Sequence, residues 1–140
     1  MEALVKAGIP VGVLVAPVIP ALNDYEIPAV LAAAKDAGAG SAGMVILRLP
    51  LTVAPIFEQW LEQNFPEKRE KVLGRIRALR GGRLNDARFG SRMSGEGIFA
   101  AQISQMFDIA RRKAGIPEHG PDLSVAAFRR PGGTQLGLGI

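Results

Sequence analysis

Few side chains in this 140-residue chain combine a reactive type with a spacing that chemistry can use. It contains no cysteine, which removes disulfides, thiolate nucleophiles and cysteine-ligated zinc or iron–sulfur centres from the chain itself. The single histidine, His119, stands in a Pro- and Gly-flanked segment with no second metal ligand nearby and reads as a surface residue. Asn85, Asp86, Arg88, Arg92 and Glu96 form a dense polar set, yet their spacing matches neither a metal site nor a catalytic triad. Gly81-Gly82 and Gly95-x-Gly97 lack the strand-to-helix context of a phosphate loop.

Two features remain. Arg48 interrupts the apolar run AGMVILRLP, Ala42 to Pro50, where a guanidinium needs a partner to offset its desolvation. That partner is either a ligand carboxylate or phosphate, or Asp24 across a shared rim. The other feature is PVGVLVAPVIPALNDYEIP, Pro10 to Pro28, in which a Val- and Leu-rich run gives way to a proline-punctuated turn and an Asn-Asp pair. Pro17 and Pro20 would hold the turn extended, and Val18, Ile19 and Leu22 could wall a flat heterocycle. The same stretch also reads as a rigid connector ending in an N-cap.

The elements that must position these residues follow from hydrophobic periodicity. EALVKAG, residues 2–8, has the pattern of the last turns of a helix stopped by Gly8. Val11 to Val18 lacks polar alternation and predicts a strand buried on both faces. Ile27, Val30, Leu31 and Ala34 recur at helical spacing, with Asp24 as N-cap, Pro28 in the first turn and Gly38 at the close. Ala42 to Pro50 is the second strand, so the first fifty residues predict a right-handed βαβ unit with parallel strands.

Helices are then predicted over 52–65, with Ile56, Phe57, Trp60 and Leu61 on one side; over 67–80, with Val72, Leu73, Ile76 and Leu79 as the buried stripe; and over 98–114, burying Ile103, Met106, Phe107 and Ala110. The loop 83–97 between the last two is long enough for a functional or capping role. The closing RPGGTQLGLGI predicts no stable order.

Composition sets the outer bounds. With 48% hydrophobic and 21% charged residues, the chain can build a core and is not a disordered polyelectrolyte. The net charge of +4 permits an anionic partner without requiring one. A nucleic-acid ridge along the basic helix 67–83 is one reading and a solvated face the other, because the exposed aromatic interleaving of single-strand binders is missing. The uncharged run Ile9 to Leu22 is too short and too proline-broken for a membrane span, and the chain reads as soluble and cytoplasmic.

AGIPVGVLVAPVIPALNDYEIP, AGMVILRLP, the Phe57-x-x-Trp60-Leu61 helix, GGRLNDARFGSRMSGEG and FRRP occur in an order that resembles the C-terminal half of radical S-adenosylmethionine proteins, in the branch grouped with spore photoproduct lyase and DNA-repair photolyase-like proteins. AP-x-IP-x-LND and LRLP are the most specific pieces.

The resemblance implies an α/β fold: a C-terminal fragment of a partial TIM barrel over residues 1–51, a helical extension over 52–115 and a loop-like tail over 116–140. It implies a full-length parent that binds a [4Fe-4S] cluster through an upstream Cys-x3-Cys-x2-Cys loop and reductively cleaves S-adenosylmethionine. Matched position by position, Ala16, Pro17, Ile19 and Pro20 would form the apolar rim near the nucleoside, Asn23 and Asp24 the loop after it, and Arg48 and Pro50 the next strand's edge. Without cysteines the chain alone should bind neither cofactor and should be inactive. Its expected partners are the missing N-terminal half of the barrel or a second copy through exposed strand edges, and its alternative role is a stand-alone binding or interaction module, with nucleic acid as the candidate partner of the basic helix 67–83.

Overall fold

The computed structural model describes residues 1–122, 124–126 and 128. A short helix α1 (Glu2–Lys6) leads into strand β1 (Gly12–Val18), helix α2 (Ile27–Asp36) and strand β2 (Ser41–Ile46). Three helices follow: α3 (Val53–Asn64), α4 (Arg69–Leu79) and α5 (Ile98–Lys113). β1 and β2 pair in parallel as a two-stranded sheet, so the expected βαβ unit is present and the fold is mixed α/β. Among the described residues, no helix is long and apolar enough to cross a membrane.

The strands pair Gly12 with Ser41, Val13 with Ala42, Leu14 with Gly43 and Val15 with Met44. Because side chains alternate along a strand, Val13, Val15, Ala42 and Met44 turn to one face. There they pack on a core made by Ile27 and Leu31 of α2, Ile103, Phe107 and Ala110 of α5, and Val18 and Ile46 at the strand ends. Each of the fully buried aliphatic side chains contributes about 1.5–3 kcal/mol.

Among the described residues the opposite face is left open by α2 and α5 and is approached only at its Gly12–Ser41 end by Gly120, where an added Cβ would come within 3.3 Å of Ser41 Cβ; this corrects the expectation of a strand buried on both sides. Gly12 and Ala16 are exposed and Leu14 keeps 62% of its surface in solvent. The reason is that α2 and α5 lie on the same side of a sheet that is two strands wide among the described residues. Leu14 bends over Gly43, where a Cβ would come within 3.1 Å of its Cδ1.

A second core joins Leu22 of the β1–α2 loop, Leu49 just after β2, Leu61 of α3, and Val72, Leu73 and Ile76 of α4. The predicted stripe of α4 is therefore buried as read. That of α3 is split: Leu61 is buried, but Ile56 is 65% exposed and Trp60 39%, with Trp60 stacked on Phe57 at 5.7 Å between ring centroids.

The 83–97 loop is fastened down. Its Met93 carbonyl accepts from the Ile46 N–H at 2.9 Å, and its Glu96 N–H donates to the Leu79 carbonyl at 3.0 Å. Of the tail, residues 129–140, which hold most of FRRP and all of the closing RPGGTQLGLGI, lie outside the described residues.

Candidate functional site

The proline turn after β1 is closed by its own Asn-Asp pair. Asn23 Oδ1 accepts from the Ile19 N–H at 2.6 Å, its Nδ2 donates to the Pro17 carbonyl at 3.1 Å, and Asp24 Oδ2 accepts from the Ala21 N–H at 3.0 Å. The Ala16–Pro17 peptide is cis, and Ala21 takes a left-handed φ of 65°. Asp24 therefore does not cap α2: it opens a 3-10 turn over Asp24–Glu26, and α2 begins at Ile27. Nor does it pair with Arg48, because its carboxylate faces back into its own loop. Short polar side chains bonding nearby backbone in this way are the usual physics of turns.

The turn's residues face in different directions. Ala16, Pro17 and Asn23 line a shallow cleft of about 220 Å³ beside Leu14 and Ile27. Pro20 and Asp24 instead line a cavity of about 280 Å³ closed by Lys71, Arg75, Phe99 and Met106 from α4 and α5. The Arg75 guanidinium lies 3.5 Å from the Phe99 ring centroid, a cation–π contact that holds it against α5. Ile19 packs into the second core. Pro50 is exposed, two residues beyond Arg48 and past the end of β2.

Arg48 lies instead beside Arg80. The Arg80 side chain is only 3% exposed. Its Nη1 donates to the Ser91 carbonyl at 2.9 Å and its Nη2 to the Leu47 carbonyl at 3.0 Å. Burial lowers its pKa from the ordinary arginine value, Asp86 pulls it back up, and the nearby Arg48 lowers it further. Arg48 is half-buried and forms no hydrogen bond or ion pair among the described residues.

Asp86 lies beside this pair but is committed to another. The Arg88 side chain holds it through Nε at 3.1 Å and Nη2 at 2.9 Å, the Arg88 N–H donates at 2.9 Å, and the Ser91 hydroxyl donates at 2.7 Å. These bonds, from the Arg88 side chain first, keep its carboxyl well below the usual carboxylate range. Arg88 also reaches Glu96 at 3.0 Å.

Part of the basic 67–83 segment is engaged inside the molecule. Arg69 pairs with Glu58 and Glu70, Lys68 lies over the Phe65 ring, Arg75 covers Phe99 and Arg80 is buried. His119 is exposed, and among the described residues no group of three His, Cys, Asp or Glu side chains could hold a metal ion.

Sequence reasoning missed Arg80 as a site residue, although a signal was present. Counting along α4 from Val72, Leu73 and Ile76, position 80 continues the i+4, i+7, i+8 stripe, so Arg80 falls on the buried face. The same spacing from Ile103 and Phe107 buries Arg111, whose Nη1 donates to the Ile116 carbonyl at 3.0 Å. A cation on an apolar stripe is the pattern to look for. The chain matches no protein-family model, no curated protein and no solved structure.

Proposed function

We propose that this chain supplies part of the wall of a nucleoside-binding barrel of the radical S-adenosylmethionine kind, as the C-terminal portion of an enzyme whose other segments hold the cluster. The observation that supports this most is the bare sheet face. Gly12, Leu14 and Ala16 of β1 and Ser41 and Gly43 of β2 present small or apolar groups on a side that α2 and α5 leave uncovered. Parallel strands are normally covered on both faces, and in an α/β barrel the helices take the outside while the inner face meets the ligand at the strands' C-terminal ends. Both outer edges of the two-stranded sheet are also unpaired among the described residues, which suits further strands or a second copy.

In this reading Ala16 and Pro17 touch the nucleoside, while Ile19 anchors the turn in the second core. Asn23 and Asp24 hold the turn in shape, since their polar atoms are already bonded to its backbone. A [4Fe-4S] cluster does not fit the residues of this chain, which has no cysteine to ligate it. The rival reading, a nucleic-acid module on the basic 67–83 segment, has less support because several of its cations are occupied within the molecule.

The test starts with the DNA upstream of the coding sequence, where a Cys-x3-Cys-x2-Cys segment is expected in the same or a shifted frame. A polypeptide joining that segment to this chain should bind iron and release 5′-deoxyadenosine on reduction with S-adenosylmethionine. Ala16→Lys, which places a charge on the bare face, should abolish that release. An unrelated upstream gene, or full turnover in Ala16→Lys, sinks the reading.

A further inference from the structure

The cavity of about 280 Å³ between the turn after β1 and helices α4 and α5 joins an apolar wall to unpartnered charge. Phe99, Ile103 and Met106 of α5 form the wall, and Lys71, Arg75 and Asp24 are the charged groups that line the same space. Lys71 and Arg75 stand one turn apart on α4, and neither forms a hydrogen bond or an ion pair among the described residues. Asp24 does not neutralise them: its Oδ2 accepts from the Ala21 N–H at 3.0 Å, within its own turn.

Arg75 is also held in place. Its guanidinium carbon lies 3.5 Å from the Phe99 ring centroid, the contact distance of two carbon atoms. At that separation the flat group lies against the ring face, so its N–H donors, which radiate in its own plane, stay free at its edge. The stacking thus fixes a donor fork beside an apolar wall before any ligand arrives.

We propose that this cavity binds a small apolar monocarboxylate, with the Arg75 fork on the carboxylate, Lys71 as a second cation and the α5 side chains around the hydrocarbon body. Charge decides against phosphate. Two cations and one carboxylate leave the lining with a single positive charge in excess, which balances a carboxylate but not the roughly −1.5 to −2 of a phosphate monoester. The volume lies at the low end of the roughly 300–1,000 Å³ of ligand pockets, and apolar walls with a few placed polar groups are their usual make-up. An arginine fork takes a carboxylate through two parallel hydrogen bonds.

The site is independent of the nucleoside reading: it lies on the helix side of the sheet, away from the open face, and its probes contain no S-adenosylmethionine. The chain is titrated with phenylacetate, 2-phenylethanol and inorganic phosphate at equal ionic strength set by sodium chloride, and backbone amide shifts are followed by NMR. Phenylacetate should move the amides of residues 71–75 and 99–106 and bind about tenfold tighter than the other two. Arg75→Lys keeps the charge over Phe99 but loses the fork, and should weaken binding by about ten- to hundredfold. Lys71→Gln should weaken it by about two- to fivefold and melt with the parent, because Lys71 is exposed and has no partner to lose. Asp24→Asn keeps the acceptor for Ala21 and removes a negative charge, so it should tighten binding by about two- to fivefold.

Selective binding of phenylacetate that Arg75→Lys weakens upholds the site. Phosphate or 2-phenylethanol bound as tightly as phenylacetate overturns it, as does binding unchanged in both Arg75→Lys and Lys71→Gln, or binding weakened in Asp24→Asn.

Discussion

The Nη2 of Arg80 donates a 3.0 Å hydrogen bond to the carbonyl of Leu47, 33 positions earlier in the chain. Together with the bond from Nη1 to Ser91, it ties the end of β2, the end of α4 and the long loop to one side chain. A guanidinium suits the task because its fixed fork can reach two carbonyls at once.

Replacing Arg80 with Met should release that loop. Both carbonyls lose a charge-assisted donor, and the expected cost is about 2–4 kcal/mol. Hydrogen exchange should quicken first over residues 83–97, while amides of β1 and α2 retain their protection. Exchange in the loop at the parent rate would show that the Met93 and Glu96 backbone bonds hold it without Arg80.

The turn after β1 should respond in opposite directions to two neighbouring changes. Asn23→Ala removes the acceptor for Ile19 and the donor to Pro17, and should cost about 1–2 kcal/mol. Ala21→Gly should stabilise by about 0.5–1 kcal/mol: the left-handed conformation costs an L-residue roughly 1–2 kcal/mol, partly offset by the greater chain entropy of glycine when unfolded. Chemical denaturation of the two variants checks both signs.

Acid should weaken the protein through Asp86. Its pKa is depressed in the folded chain from an ordinary 3.8, so in acid the unfolded chain takes up a proton that the folded chain refuses. Stability from this group is therefore complete above about pH 5 and is lost progressively as the pH falls through 4 toward the lower folded value. The melting temperature of Asp86→Asn should fall less steeply than the parent's over that range, and the two slopes should coincide at neutral pH. Parallel acid limbs would refute the assignment.

The local elements were readable because they depend on periodicity alone. Val72, Leu73, Ile76 and Leu79 recur at helical spacing and are buried, and the two strands flank a helix and pair in parallel. The turn was legible as stiff and proline-bound. Its Asp24 was misread as an N-cap, because in sequence a short polar side chain before a helix looks the same whether it bonds forward to the helix or back into its own loop.

Which face of β1 is covered was not legible. A run without polar alternation is compatible with burial on either or both sides, and the outcome depends on α2 and α5 lying on the same side of the sheet. That Arg48 has no ion-pair partner among the described residues was undecidable for the same reason. The order of residues established that a cation interrupts an apolar strand end, at a desolvation cost that depends on the residue and its immediate neighbours; the expected compensating partner is not found among the described residues. Only the tertiary structure brought Arg80, from a helix more than thirty residues away, to that position and turned Asp24 into its own loop, because contacts between distant segments follow from how helices pack and not from spacing along the chain.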